Sequence, residues 1–177
     1  MSIIKHPEQR VAVLIDAQNL YHSAKNLYSK KVNFKNILED ATAGRKLIRA
    51  AAYVISSEAG DEQDFFDALI KLGIETKSKD LQIFAGGQMK ADWDVGIAVD
   101  AMKLANRMDA IVIISGDGDF VPLIEYLQNF TQAEVMAFGQ SSSKSLREAC
   151  DDFIDLSENT RRYLMGNRRR RSTRKKK

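Results

Sequence analysis

Apolar and polar positions along this chain alternate between two periods. VAVLI, Val11 to Ile15, is an unbroken, β-branched-rich run ending at Asp16. Such a run predicts a strand buried on both faces. Asn19 to Tyr28 and Val32 to Ala43 read as helices, the second capped by Asn33 and stopped by Gly44. Leu47 to Ile55 is the second strand. Asp61 to Leu72 carries apolar residues at 65, 66, 69, 70 and 72, a helical stripe with acids at its start and Gly73 at its end. Ile74 to Thr76 is a short third strand, and Leu81 to Met89 is irregular or a small hairpin punctuated by Gly86 and Gly87. Trp93 to Asn106 is a helix apolar almost all round, which predicts deep packing. Ala110 to Ile114 is the fourth strand. Asp119 to Phe130 is a helix with Pro122 in its first turn, Glu134 to Phe138 the fifth strand and Lys144 to Cys150 a short helix; Phe153 to Leu156 fits a small last strand. Strands and helices in alternation predict an α/β protein with a parallel sheet covered on both faces.

Composition narrows the class. The 177 residues suit one domain with a substantial core. Hydrophobic residues at 44% and charged residues at 29% are ordinary for a soluble globule. There is no run long enough for a membrane span, and MSIIKHPEQR is too polar for a secretory signal, so the expected location is cytoplasmic. One cysteine, Cys150, and two histidines, His6 and His22, argue against a disulfide framework or a thiolate or imidazole metal site.

Charge divides the chain. Residues 161–177 hold ten Lys/Arg, among them Arg168, Arg169, Arg170 and Arg171, and no acid. The preceding residues carry 17 basic and 24 acidic side chains, a net of −7. The expected organisation is an N-terminal extension at 1–9, a domain at 10–160, and a basic, disordered tail at 161–177 suited to a polyanion.

The acids fall at informative places. Asp16 ends the first strand, and Asp117 and Asp119 follow the fourth in SGDGDF. Asp92 and Asp94 open the helix leading into that fourth strand, with Asp100 further along it. In open α/β sheets, ligands bind beyond the carboxyl ends of the strands, where strand order reverses. Strands one and four are natural neighbours there. Carboxylates converging on one spot repel one another unless a cation joins them, and an all-oxygen donor set favours Mg²⁺ or Mn²⁺ over zinc. Two such ions would stabilise both oxygens of a phosphoryl displacement. Taken singly, Asp16 and Asp119 equally fit helix caps, Asp117 a turn, and Asp92 and Asp94 a helix N-terminus. Asn19 fits a cap, or a group that orients Asp16 or a water. Other phosphate chemistries fit less well. The turn DAQN lacks the glycines of a dinucleotide fingerprint, and GQSSSKS has Lys144 where a P-loop needs glycine. Lys144 and its serines still suit one phosphate. Cys150, at a helix end, reads as packing.

The segments VAVLIDAQNLY, KADWDVGIAVDA, IVIISGDGDFVPLIEYL, VMAFG and LREACDDFIDL occur in this order across about residues 10–157. Together they resemble the NYN-domain proteins, in the LabA-like branch of the PIN-like nuclease superfamily. That resemblance implies a Rossmann-like three-layer α/β/α sandwich with a central, mainly parallel sheet of five or six strands. It also implies a metal-dependent ribonuclease-type site. On the matching motifs, Asp16 is the first-strand acid and Asn19 its companion; Asp94 is the helix-start acid; Asp117 and Asp119 are the pair after the strand. Lys90 is the basic residue placed to touch phosphate. Many PIN-type nucleases carry a further acid on the helix after the second strand, where this chain offers Glu62, Asp64 and Asp67 without a matched position.

The expected function is a Mg²⁺- or Mn²⁺-dependent ribonuclease. Asp16, Asp94, Asp117 and Asp119 would hold metal, with Asp92 and Asp100 as a second tier. RNA is the expected partner, met by Lys90, Lys144 and the arginines at 168–171. Trp93, Tyr21 and Phe84 fit either the core or a stacking surface for unpaired bases. A homodimer stays open. The alternatives are an RNA-binding or regulatory adaptor that keeps the acidic cleft without cleaving, and a phosphatase acting on small phosphoesters.

Overall fold

A computed structural model describes residues 3–56, 63–80, 82–83, 89–90 and 92–166, with backbone alone at 82–83 and 89–90. The chain runs β1 (Arg10–Asp16), α1 (Ala17–Tyr28), α2 (Phe34–Thr42), β2 (Lys46–Ser56), α3 (Gln63–Lys71) and β3 (Glu75–Asp80). It continues through a two-strand antiparallel hairpin, β4 (Gln82–Ile83) with β5 (Met89–Lys90), into α4 (Asp94–Leu104) and β6 (Ala110–Ile114). It closes with α5 (Val121–Leu127), β7 (Gln132–Ala137), α6 (Lys144–Ala149), β8 (Asp152–Asp155) and α7 (Thr160–Tyr163). Six strands form one parallel sheet in the order β3-β2-β1-β6-β7-β8. Strand order reverses between β1 and β6, which places a doubly wound switch point at the centre of the sheet.

The alternation of side chains along each strand divides the core into two layers. Val11, Val13 and Ile15 of β1 point to one face, with Ala110, Val112 and Ile114 of β6, and pack under α1, α2 and α3. Ala12 and Leu14, with Ile111 and Ile113, point to the other face and pack under α4, α5 and α6. A strand needs an unbroken apolar run to serve both layers, and VAVLI and AIVII supply it. The result is the three-layer α/β/α sandwich expected from the sequence.

Three local expectations change. β3 runs to Asp80 rather than stopping at Thr76, because an edge strand open to water on one side tolerates the polar sequence ETKSKD. α4 lies in an outer layer, so only one side packs. Ile97 and Ala101 are buried, while Val95 (73% exposed), Val99 and Met102 face solvent. The globule also continues past residue 160. The α7 turn brings Tyr163 and Leu164 into the first core layer, and Leu164 pairs with Val32. Arg162 forms a two-bond fork on Asp40 at 2.7 and 2.6 Å, and the Tyr163 hydroxyl donates to the same carboxylate. Two of the ten basic residues of 161–177 therefore belong to the globule. The arginines at 168–171 lie outside the described residues.

Opposite the switch point, the Arg45 guanidinium meets Glu134 of β7 through contacts of 2.5 and 3.0 Å, with both side chains fully buried. Arg45 also donates to the carbonyls of Ala41 and Thr42, and Lys5 reaches the same glutamate at 3.3 Å. The pair ties the end of α2 to a strand on the far half of the sheet. Removing one partner from a buried pair strands the other charge in an apolar place. Glu134→Ala is therefore expected to cost about 3–5 kcal/mol, measured as a lower midpoint of urea unfolding; a loss under about 1 kcal/mol would mean the pair is not buried as described.

Candidate metal centre at the switch point

β1 and β6 pair in register up to Ile15 and Ile114. The next residue on each strand, Asp16 and Ser115, therefore emerges level at the carboxyl edge. Both are buried. The Ser115 hydroxyl donates to Asp16 Oδ2 at 3.1 Å and accepts from the Asp117 amide at 3.2 Å. Asp16 Oδ1 accepts the Asn19 amide at 3.1 Å and so caps α1, which starts at Ala17 in consequence. The Asn19 side-chain oxygen accepts the Gly116 amide at 2.9 Å. Asn19 thus straps the loop after β6 to the first turn of α1. Its side chain orients that loop, while its backbone orients Asp16.

The loop is pressed from behind by the serine-rich segment after β7. The Ser143 amide donates to the Gly116 carbonyl at 2.9 Å. A Cβ on Gly116 would sit 3.0 Å from the Ser142 backbone, and one on Gly118 would sit 2.8 Å from the Ser143 hydroxyl. Those approaches require glycine at both positions. Asp117 accepts the Asp119 amide at 3.0 Å, starting the turn that feeds α5. Asp16 and Asp117 therefore hold their cap and turn roles while converging; Asp119 caps no helix, since it lies within the turn that Asp117 caps and α5 begins after Phe120 without a side-chain cap.

α4 crosses the second face so that its first residue, Asp94, reaches the same place. One carboxylate oxygen from each of Asp94, Asp117 and Asp119 lies within 4.8 Å of the others. Burial pushes the Asp94 carboxyl up to about 6, and the charges of Asp16, Asp117, Asp92 and Asp119 add to the push. Asp16 is also raised, by burial, against the pull of its hydrogen bonds from Asn19 and Ser115. Asp16 stands beside the trio, with its charge felt at Asp94. The hard oxygen donors and the mutual repulsion fit a divalent cation.

The remaining candidates separate from this centre. Asp92 is exposed, and its carbonyl accepts from Lys79 at 3.2 Å. Asp100 is held away by Lys77 at 2.6 Å and by the Tyr53 hydroxyl at 2.6 Å. Burial pushes its carboxyl up, but those two hydrogen bonds and the charges of Lys77 and Arg49 bring it below the usual carboxylate range. It is a structural anchor between α4 and the β2-β3 edge. Lys144 is 81% exposed and pairs with Glu148 on its own helix at 3.6 Å. Trp93 donates to the Val54 carbonyl at 2.8 Å and meets Tyr53 edge-on, so one edge of the ring is committed to the fold. Tyr21 is half-exposed over Lys25. Phe84, the Lys90 side chain and the arginines at 168–171 lie outside the described residues. Cys150 packs against the second core layer, and burial pushes its thiol up to about 11.

Ser115 was missed in the sequence. Its one signal is its position, the hinge between an apolar strand and GDGD. Lys77 and Tyr53 had none, because their partner Asp100 is distant along the chain.

A doubly wound parallel sheet with carboxylates gathered at its switch point is the arrangement expected of a PIN-like fold. This chain belongs to the NYN domain family, whose signature spans residues 10–157. It is 30% identical over 159 residues to the low amplitude and bright protein LabA of Synechococcus elongatus, across 84% of each chain. The crystal structure of a Vibrio parahaemolyticus protein of unknown function matches with a TM-score of 0.82 at 28% identity, over 92% of this chain and 100% of the other. NYN domains are generally nucleases, and PIN-like nucleases typically use divalent metals. No helix among the described residues is long and apolar enough to cross a membrane.

The raised Asp94 carboxyl has a sign. Its folded value near 6 lies above the ordinary value near 4. The group favours the folded state while protonated, and that contribution is lost as pH rises from about 4 through about 6. Without metal, Asp94→Asn should therefore raise the melting temperature relative to wild type at pH 7.5 and by less at pH 4.5. Mn²⁺ should raise the wild-type melting temperature at pH 7.5, with the increment shrinking below about pH 6. A melting temperature indifferent to both the substitution and Mn²⁺ would contradict the repulsion described.

Proposed function

We propose that this protein is a divalent-metal-dependent ribonuclease acting on RNA phosphodiester bonds. The observation that carries the reading is the convergence of Asp94, Asp117 and Asp119, from two distant segments, within 4.8 Å of one another. Asp94, Asp117 and Asp119 would hold Mg²⁺ or Mn²⁺, with Asp16 adjoining. When bound, such an ion supplies Lewis acidity toward a phosphoryl oxygen and acidifies water at neutral pH.

The chain's own residues carry the positioning. Ser115 ties Asp16 to the Asp117 backbone, so the acids from β1 and from the β6 loop keep one spacing. Asn19 holds Gly116 and fixes the loop against α1. The Asp117 carboxylate orders the turn that presents Asp119. Asp94 enters on a separate helix, so the centre assembles only when α4 is docked. NYN nucleases act on RNA, which supports RNA as the substrate here. The open carboxyl edge of the sheet suits a polymer, and the basic residues toward the C-terminus favour a polyanion.

The test is cleavage of a labelled single-stranded RNA with Mg²⁺, with Mn²⁺ or with excess chelator. Wild type should cleave only with metal, and Asp117→Asn should fall to background with its circular dichroism unchanged. Wild-type turnover no greater than that of Asp117→Asn would remove the nuclease reading. Retained metal and RNA binding would then leave the adaptor alternative. Ser115→Ala should retain the fold and lose roughly 10–100-fold in activity, as expected when a residue that orients ligands is removed.

A further inference from the structure

Lys77 and Lys79 alternate on the edge strand β3 and so project from the same side, toward α4. Their surroundings differ. Lys77 lies over the Tyr53 ring and is neutralised by Asp100 at 2.6 Å. Lys79 lies over the Trp93 ring, 4.2 Å from its centre, and donates to the Asp92 carbonyl at 3.2 Å. Among the described residues, no carboxylate pairs with Lys79. A ring face and a carbonyl hold the ammonium in place, without a carboxylate partner among the described residues, and leave it further donors.

Its location follows from register. Tyr53 of β2 pairs with Asp16 on one side and with Lys77 on the other, so Lys79 stands two residues further toward the carboxyl edge. That is about 7 Å beyond Asp16 along the strands and about 10 Å across two strand spacings. The residue it stacks on, Trp93, directly precedes Asp94. Among the described residues, a cation without a carboxylate partner therefore sits near a centre that gathers acids. Such a centre would repel RNA if no positive group stood near it.

We propose that Lys79 is a substrate-binding residue that takes a backbone phosphate of the RNA strand on the β3 side of the metal centre. The proposal rests on the ribonuclease reading for its substrate. The Trp93 ring orients the ammonium, and Lys77, already committed to Asp100, does not substitute for it. The contact is to phosphate, so it adds affinity without sequence preference.

The experiment compares wild type, Lys79→Ala and Lys79→Arg as full-length chains. Binding of a labelled single-stranded RNA is followed by fluorescence anisotropy in chelator across a salt series, alongside cleavage kinetics in Mn²⁺. Lys79→Ala should weaken binding several-fold. It should lower the log–log salt slope by about 0.7, the value for one phosphate contact on a single strand. It should raise KM with kcat within about twofold, as for a group that binds ground and transition states alike. Lys79→Arg should restore binding and slope. An unchanged slope and affinity in Lys79→Ala overturns the proposal. So does a fall in kcat accompanied by a lower melting temperature, which would make the residue a support for α4. Wild type that binds RNA through Lys79 yet never cleaves overturns the nuclease reading and leaves this contact standing. Wild type that cleaves normally beside an indifferent Lys79→Ala overturns the contact alone.

Discussion

The whole arrangement turns on holding like charges together. Burial first, and then the charges of Asp16, Asp117, Asp92 and Asp119, lift the Asp94 carboxyl to about 6. Nothing in the acids themselves keeps them close. The backbone does so. Two central strands end level, a buried hydroxyl links their ends, an amide side chain straps the loop, and two glycines let the serine segment lean against it. The hydroxyl bond favours the charged Asp16 carboxylate, whereas the Asn19 strap and the glycine contacts are neutral and persist whether or not the acids are charged. The fold supplies the proximity, and a divalent cation is what would relieve the repulsion.

The opposite end of the sheet treats charge differently. There Arg45 and Glu134 are buried with every partner in place, and Lys5 adds a third member. The β2-β3 edge lies between the two regimes: Arg49 pairs with Glu75, Lys77 pairs with Asp100, and Lys79 has no carboxylate partner among the described residues. Among those residues, charge is therefore less compensated along the strand direction of this edge.

Much of this was legible in the sequence, for identifiable reasons. Central strands touch both layers, so β1 and β6 are apolar throughout and announce themselves; Asp16 and Asp117 mark where they end. Edge strands obey no such demand, and ETKSKD hid most of β3. α4 looked buried because its composition is apolar, yet packing depends on which layers exist around a helix. Asp100 looked like a second-tier companion of Asp94, nearly two turns further along the helix, until its partners, Tyr53 and Lys77, arrived from two other strands. Arg162 and Tyr163 looked like the start of a tail because ten cations follow Glu158 without an acid; their partner, Asp40, lies 122 positions earlier for Arg162. Sequence displays a residue's chemistry and its immediate neighbours, and it conceals partners supplied by topology.

The anchoring of the chain's outer segments has a further consequence. Near the start, the Ile4 carbonyl accepts from Gln132 at the first residue of β7, on the amino edge of the sheet. Near the end, the Met165 amide donates to the Lys31 carbonyl, beyond the far end of a helix that begins at Asp16 and descends about 18 Å. Both segments are moored on the side away from the acids. Neither Ile4 nor Met165 therefore competes with the acids for space, and the two moorings brace the sheet at its quieter margin.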